Sequence, residues 1–227
     1  MDHQQRFSRP RIGAAVVAAL AVAAATSQIK TASAHSNEQG QDRRAATNSS
    51  PIAITSDNRF VWSVNPDNDS VSVFRVARDR NQKVAEIKVG KEPWCVAITP
   101  RNRDDDRRSR HDDDDEHGDG VKVYVSNMAS GTVSVIDANK RKVIETIKVG
   151  TEPFGCALTP DGSRLFVANQ SSADVSVIDT RRDRVIRTIE RVGTKPHGIG
   201  ITADGKKVYV TQLLSERPAP GEARPLA

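Results

Sequence analysis

A set of four short elements recurs along this chain at a nearly constant interval: Pro153 and Pro196, which stand at the same place in two copies, are 43 residues apart. The first element is "EPFGCALTPDG" or "KPHGIGITADG", the second "VKVYVSN" or "RLFVANQ", the third "TVSVIDA" or "DVSVIDT", and the fourth "KVIETIKVG" or "RVIRTIERVG". Self-similarity at a fixed period indicates a repeat architecture in which each copy is one supersecondary unit.

Each element is a short run of Val, Ile and aromatic residues that tends to alternate with polar residues and is bounded by Gly, Pro, Asn or Asp. Such runs predict β-strands, so one copy of the repeat predicts a four-stranded antiparallel meander. A sheet of this kind has two partly apolar faces and buries them by stacking against its neighbours. The predicted fold class is therefore all-β, a β-propeller made of four-stranded antiparallel blades, because a unit of about 40 residues with four strands has the dimension of a propeller blade.

The copies amount to about three and a half blades. Residues 51–90, 93–150 and 153–193 each hold four elements, whereas residues 196–212 hold only the two inner strands of a fourth blade. Closed propellers contain roughly four to eight blades. Two interpretations follow: the chain is a truncated part of a longer propeller, or it closes by pairing with another chain.

The ordered set "VKVYVSN", "VSVID" and "TIKVG", preceded by "P-x-G-x-x-x-T-x-D-G", resembles the YVTN-type β-propeller repeats of secreted and surface-layer bacterial proteins. The resemblance covers residues 51 to about 212. It implies a propeller, commonly of seven blades, in which the strand after the Pro is innermost. Three positions depart from the usual repeat: Trp62 stands in place of Tyr, Cys95 in place of Gly, and Gln212 in place of Asn.

Residues 1–34 have the order of a secretory signal peptide. Three arginines precede an uncharged run, Gly13 to Ser27, and an A-x-A site follows at Ala32-Ser33-Ala34. The alternative, a retained membrane anchor, is disfavoured because the apolar run is short for a bilayer. We expect a secreted, periplasmic or cell-surface protein with no transmembrane span after cleavage. Residues 35–50 lack large apolar side chains and predict a flexible linker, and residues 213–227 form a Pro-rich polar tail.

The excess of basic over acidic residues in the chain gives no reason to expect a nucleic-acid partner. The formal net charge is +5, but residues 1–34 hold four Lys/Arg and one Asp, so the remainder has 30 basic and 28 acidic residues and a net charge of +2. A nucleic-acid-binding domain of this size usually carries a concentrated basic patch.

The stretch "RHDDDDEHGDG" belongs to an insertion at residues 101–120, where other copies have a short Asp-Gly turn. The insertion holds nine Asp/Glu and five Arg. As a loop for calcium or another divalent cation it fits partly: Asp113, Asp115 and His117 fall at positions 1, 3 and 5 of the EF-hand pattern, but Tyr124 stands at position 12, where a bidentate Glu is needed. The pattern favours a solvated loop, and we expect no cofactor.

Three large planar residues follow the Pro of successive copies: Trp94, Phe154 and His197. Equivalent positions of a repeat share one geometry, so we expect these side chains to gather around one mouth of the central channel, where they can form a ligand or partner surface. The alternative is that they only fill the hub. A metal-ligand role for His197 is disfavoured, because the other copies offer no second His or Cys there.

Most recurring polar residues are predicted to serve turns. Gly90, Gly150 and Gly193 shape the crossing between blades, and the Asp of each third element satisfies turn backbone. The two cysteines, Cys95 and Cys156, fall one step out of phase on adjacent inner strands, which favours two buried thiols over a disulfide. No C-x-x-C-H motif for haem attachment is present.

The sequence contains none of the G-x-S-x-G, H-E-x-x-H or Gly-rich phosphate-loop motifs. The function favoured is a non-catalytic binding or cell-surface interaction scaffold, with a protein or cell-envelope partner or a small molecule in the channel. The alternative is an extracytoplasmic propeller enzyme, lactonase-like or redox-associated, whose active residues lie in missing blades.

Overall fold

The computed structural model describes residues 47–76, 81–101 and 120–213. Their strands form four sheets. Blade 1 contains β2 (Ile52–Ile54), β3 (Phe60–Asn65), β4 (Ser70–Arg75) and β5 (Gln82–Lys88). Blade 2 contains β6 (Pro93–Ile98), β7 (Lys122–Asn127), β8 (Thr132–Asp137) and β9 (Lys142–Lys148). Blade 3 contains β10 (Pro153–Leu158), β11 (Arg164–Asn169), β12 (Asp174–Asp179) and β13 (Arg184–Ile189). Blade 4 contains β14 (Pro196–Ile201) and β15 (Val208–Gln212), and β1 (Thr47–Asn48) pairs with β14.

In blades 1 to 3 the strands lie side by side in chain order, and every neighbouring pair is antiparallel. This is the meander that the repeat predicts, and the all-β propeller-blade fold class is confirmed. Blade 4 has only two strands of the blade type among the described residues, which agrees with the sequence count of about three and a half blades.

The hydrophobic core lies between neighbouring blades. On β7, Val123 and Val125 pack among side chains of blade 1, whereas Tyr124 packs among side chains of blade 3. Successive side chains of a strand point to opposite faces, so one strand of alternating apolar residues serves two interfaces. A third cluster joins blades 3 and 4. Each blade is therefore stabilised mainly by its neighbours, as expected for a repeat protein.

A glycine at the end of each outer strand packs directly against the last residue of the next blade's second strand. A Cβ added at Gly90 would lie 2.7 Å from Cγ of Asn127, and one added at Gly150 would lie 2.7 Å from Cγ of Asn169. Gly193 has the same relation to Gln212. The amide of Asn127 in turn donates to Thr132 and Ser134 of β8. These glycines thus permit a close approach between blades, in addition to the crossing that the sequence predicts.

Residues 47–51 run across the inner strands of several blades. The Ser49 N–H donates to the Ile199 carbonyl of blade 4, and the Ser50 carbonyl accepts from the Val96 N–H of blade 2. The Thr47 hydroxyl also donates to the Leu158 carbonyl of blade 3. The sequence places residues 47–50 in the linker, but backbone and hydroxyl groups give them fixed partners that a hydropathy pattern does not reveal.

Blades 1 and 4 each present a face that no other described blade covers. Ile52 and Ile54 on β2 are 52% and 59% exposed, and Tyr209 on β15 is 60% exposed. Tyr209 occupies the position that Tyr124 has in blade 2, where the side chain is fully buried. The exposed residues are thus those that would face a further blade.

Several sequence predictions lie outside the described residues: the signal peptide, most of the linker, most of the acidic insertion and nearly all of the tail. Within the described part of the chain, no helix has the length and apolar character needed to cross a bilayer.

Candidate binding site at the ring end of the blades

The structure brings Trp94, Phe154 and His197 into one continuous stack. The ring centroids of Trp94 and Phe154 are 4.8 Å apart with an interplanar angle of 25°. Those of Phe154 and His197 are 4.0 Å apart at 27°. Trp94 is 37% exposed, and the other two are partly buried. Three residues from three blades therefore form a single aromatic surface at the end of the sheets where the inner strands begin, which we call the ring end.

A backbone irregularity accompanies each ring residue. In blade 2 Pro93 pairs with Asn127 and Cys95 pairs with Ser126, so Trp94 is the extra residue of a bulge. Register shifts follow Pro153 in blade 3 and Pro196 in blade 4 as well, and they enclose Phe154 and His197. Bulges turn a side chain out of the regular alternation of a strand. The bulge that follows the Pro in each of these blades thus accounts for the common orientation of the rings.

Hydrogen bonds of side-chain hydroxyls, within and between blades, fix the backbone under the stack. The Ser126 hydroxyl donates to the Phe154 carbonyl at 2.6 Å and accepts from the Cys95 N–H at 3.1 Å. In blade 4 the Thr211 hydroxyl accepts from the Gly198 N–H at 2.9 Å in the corresponding place. The stack therefore rests on a framework whose polar groups have partners.

The His197 ring is held by Gln170, a residue that the sequence analysis missed. Nε2 of Gln170 lies 2.6 Å from Nδ1 of His197, and Gln170 is buried. With the amide as donor, the neutral imidazole carries its proton on Nε2. Gln170 was identifiable by the same reasoning that singled out the rings, because the equivalent positions in the other blades hold Pro66, Met128 and Leu213.

The acidic insertion leaves its blade at the opposite end from the stack. Trp94 lies at the start of β6, whereas Arg101 and Gly120, the first and last residues of the insertion, follow the end of β6 and precede β7; we call this the insertion end. Asp113, Asp115 and His117 lie outside the described residues. Among the residues that are described, His, Cys, Asp and Glu side chains form no group of three or more able to hold a metal ion.

The two cysteines are buried free thiols, as the sequence favours. Sγ of Cys95 lies 3.0 Å from both the backbone nitrogen and the carbonyl oxygen of Cys156. Cys95 therefore fills the space between blades 2 and 3. Burial raises the pKa of the Cys156 thiol well above its ordinary value, and the adjacent Cys95 side chain acts in the same direction.

A polar cluster at the insertion end joins blades 2 and 3. The Tyr124 hydroxyl donates to Oδ1 of Asp183 at 2.6 Å, and the Lys122 ammonium is 2.6 Å from Oδ2 of the same carboxylate. Burial, followed by the hydrogen bond to Asp183, raises the pKa of the Tyr124 phenol. The Tyr124 and Lys122 side chains both contact the Asp183 carboxylate, so this cluster joins the two blades.

No protein-family model and no curated protein matches the chain. Solved β-propeller structures do. The chain is similar to hydrazine synthase of Kuenenia stuttgartiensis, with 28% identity and a TM-score of 0.60 over 72% of this chain and 42% of that chain. A 6-phosphogluconolactonase-like protein of Bacteroides uniformis matches with 16% identity and a TM-score of 0.55, over 71% of this chain and 46% of that chain.

A dihydro-heme d1 dehydrogenase, solved in complex with DHE, matches with 15% identity and a TM-score of 0.54 over 71% of this chain. The match covers 32% of that chain. The chain thus spans less than half of the length of each of these structures. Together with the four antiparallel sheets, these similarities show that the repeats are β-propeller blades.

Proposed function

We propose that this chain is a non-catalytic recognition module of a β-propeller and that the stack of Trp94, Phe154 and His197 is its binding surface. The observation that carries the proposal is the contact of three rings from three blades, with Trp94 more than one third exposed. The surrounding glycines, prolines and Asp-Gly turns recur from blade to blade, whereas this position differs in each. Variation on a repeated framework suits recognition of a specific partner.

The stack offers a large apolar surface at low entropic cost. Aromatic side chains have few rotatable bonds, so little freedom is lost when a partner covers them. The hydrogen bond from Gln170 restrains His197 further, and the bulges restrain the backbone. Such a surface suits an apolar or planar group presented by a protein or cell-envelope partner, or a small molecule at the channel mouth.

We further propose that the chain is a YVTN-type propeller and that it acts outside the cytoplasm. The ordered motifs of the repeat support the first statement, and the basic, apolar and A-x-A order of residues 1–34 supports the second. The recovered protein is then expected to begin near His35. Mass spectrometry of its N-terminus tests this: an intact Met1 on protein purified from the cell envelope contradicts export by cleavage.

Site-specific photo-cross-linking in the producing cell tests the binding surface. A benzophenone amino acid placed at Trp94 is expected to give a discrete adduct. The matched control places the same group at Ile144, which is 48% exposed on the outer strand β9. An adduct from position 94 that is absent from position 144 supports the proposal. Equal cross-linking from the two positions, or none from position 94, contradicts it.

An enzymatic function is the second candidate. The observation in its favour is similarity to solved propellers named as hydrazine synthase and dihydro-heme d1 dehydrogenase, of which this chain spans only a part. The candidate requires active residues beyond those described here, in further blades. Sequencing of the coding region downstream of the codon for Ala227 discriminates the two functions. Further repeats without such clusters favour the recognition module, whereas repeats with His, Asp and Glu clustered at the starts of inner strands favour the enzyme.

A further inference from the structure

A cavity of about 150 Å³ opens between blades 1 and 2 at the insertion end, remote from the ring stack. Arg59, Arg101 and Arg141 all contribute to its lining, against one carboxylate, Asp57. The guanidinium carbons of Arg59 and Arg141 lie 6.0 and 5.7 Å from the ring centroid of Phe60, which also lines the cavity. The lining that the structure describes thus carries an excess of positive charge.

The single carboxylate does not neutralise this charge. Asp57 already accepts from the Thr55 hydroxyl at 2.5 Å and from the Arg59 N–H at 3.0 Å, and it lies 3.8 Å from the Arg101 guanidinium. Among the described residues, the guanidinium groups of Arg59 and Arg141 donate no hydrogen bond to a carboxylate. Donors with positive charge therefore remain available at the cavity.

The interface between blades 2 and 3 contains a carboxylate at the place that corresponds to this cavity. Between blades 2 and 3, the carboxylate of Asp183 accepts from the Tyr124 hydroxyl and pairs with Lys122. The repeat places Trp62 at the position of Tyr124 and Arg141 at the position of Asp183. Arg141 and Asp183 share a left-handed backbone, with φ of 53° and 49°. In the described part of the chain, the interface between blades 1 and 2 therefore has the donors, but the repeat position of Asp183 holds no carboxylate.

The indole N–H of Trp62 is a buried hydrogen-bond donor in the wall of the same cavity. Among the described residues, Nε1 of Trp62 has no hydrogen-bond partner, and the side chain is 1% exposed and lines the cavity. Buried polar groups in folded proteins nearly always have a partner. At the adjacent interface the matching donor, the Tyr124 hydroxyl, is satisfied by Asp183.

We propose that this cavity binds a small oxyanion, a carboxylate or a phosphate group, which takes the place that Asp183 occupies between blades 2 and 3. Arg141, with Arg59 and Arg101, supplies the charge-assisted hydrogen bonds, for which a guanidinium is well suited. The Trp62 indole lies in the wall beside the anion. The larger cavity between blades 2 and 3 is less suited, because the Asp183 carboxylate already engages its Lys122.

The indole N–H signals in a ¹⁵N-labelled full-length protein test the proposal directly. The chain has two Trp, so a Trp94→Phe variant leaves Trp62 as the only indole. Sodium phosphate and sodium acetate are titrated separately against sodium chloride at constant ionic strength. A saturable shift of the Trp62 signal with phosphate or acetate, but not with chloride, is expected. The anion that shifts the Trp62 signal at the lower concentration shows whether the cavity prefers a phosphate group or a carboxylate.

Two variants of Arg141 and one charge-matched control complete the test. Arg141→Asp installs the carboxylate that the adjacent interface contains, and Arg141→Asn removes the charge with a residue that also accepts left-handed backbone. Both are expected to weaken the oxyanion response by about tenfold or more. Arg187→Glu, which alters charge on the exposed outer strand β13, is expected to leave it unchanged. No oxyanion-dependent shift of Trp62, or a shift that persists in the Arg141 variants, overturns the proposal.

Discussion

The Tyr124 hydroxyl of blade 2 donates a 2.6 Å hydrogen bond to the Asp183 carboxylate of blade 3. Tyr124 is fully buried, so its replacement removes a charge-assisted bond from the blade interface. Tyr124→Phe is expected to lower the free energy of unfolding by about 1–3 kcal/mol. Tyr209→Phe is the matched control, since Tyr209 holds the same repeat position but is 60% exposed, and it is expected to change stability by less than about 0.5 kcal/mol. Urea denaturation measures both, and equal losses contradict the role assigned to this bond.

The raised pKa of Tyr124 predicts a loss of stability at high pH. An unfolded Tyr releases its proton near pH 10, whereas burial and Asp183 keep the proton on Tyr124 in the folded protein. Between the pKa of an unfolded Tyr and the higher pKa of folded Tyr124, the unfolded state binds fewer protons. The free energy of unfolding therefore falls as pH rises, by up to about 1.4 kcal/mol per pH unit. Other groups titrate in this range, so the test compares the wild type with Tyr124→Phe between about pH 9 and 11. Identical slopes contradict the prediction.

Gly90 is expected to tolerate no side chain. A Cβ at this position would lie 2.7 Å from Cγ of Asn127, inside the blade interface. Gly90→Ala should therefore destabilise the fold by about 1–3 kcal/mol through overpacking. Gly200→Ala is the control, because a Cβ there meets nothing within 4 Å, and a neutral or slightly stabilising effect is expected. Thermal unfolding of the two variants distinguishes them; a harmless Gly90→Ala shows that the blades do not approach so closely.

Both cysteines are expected to be unreactive in the folded protein. Cys95 and Cys156 are 2% and 1% exposed, and burial raises the pKa of the Cys156 thiol, which disfavours the reactive thiolate. Alkylation by iodoacetamide followed by mass spectrometry should modify neither thiol under native conditions and both in urea. Rapid native labelling, or a disulfide in the unreduced protein, is the contrary result.

The acidic insertion is expected to bind no divalent cation specifically. Its EF-hand pattern lacks the bidentate residue at position 12, where Tyr124 is instead committed to the blade interface. Calorimetric titration with calcium and with zinc should give no saturable heat. Saturable binding that disappears on deletion of residues 104–117 would reverse this prediction.

The fold was largely predictable because the sequence pattern of each strand occurs in several copies of the repeat. Alternation, turn residues and spacing agree between copies, so an ambiguity in one copy is resolved by another. The turn roles of Asp137 and Asp179 are confirmed, since each carboxylate accepts two backbone N–H bonds in its hairpin. β1 was not predictable, because Thr47 and Asn48 form a two-residue strand with no apolar pattern and pair with a strand about 150 residues later.

The candidate site was only partly predictable. Equivalence between copies indicates that Trp94, Phe154 and His197 approach one another, and the structure stacks them. It does not indicate the bond between Gln170 and His197, because that bond depends on side-chain reach between neighbouring blades. The role proposed for Arg141 was not predictable either, because it depends on a comparison of its blade interface with the interface that contains Asp183.

The measurement that tests the central claim most directly is the nuclear Overhauser effect between the three rings. Inner strands of three successive blades bring Trp94, Phe154 and His197 into one surface, with centroid distances of 4.8 and 4.0 Å. Cross-peaks are therefore expected between ring protons of Trp94 and Phe154 and between those of Phe154 and His197 in the folded protein. A folded protein that gives neither set of cross-peaks would contradict the blade arrangement at the ring end and the binding surface proposed from it.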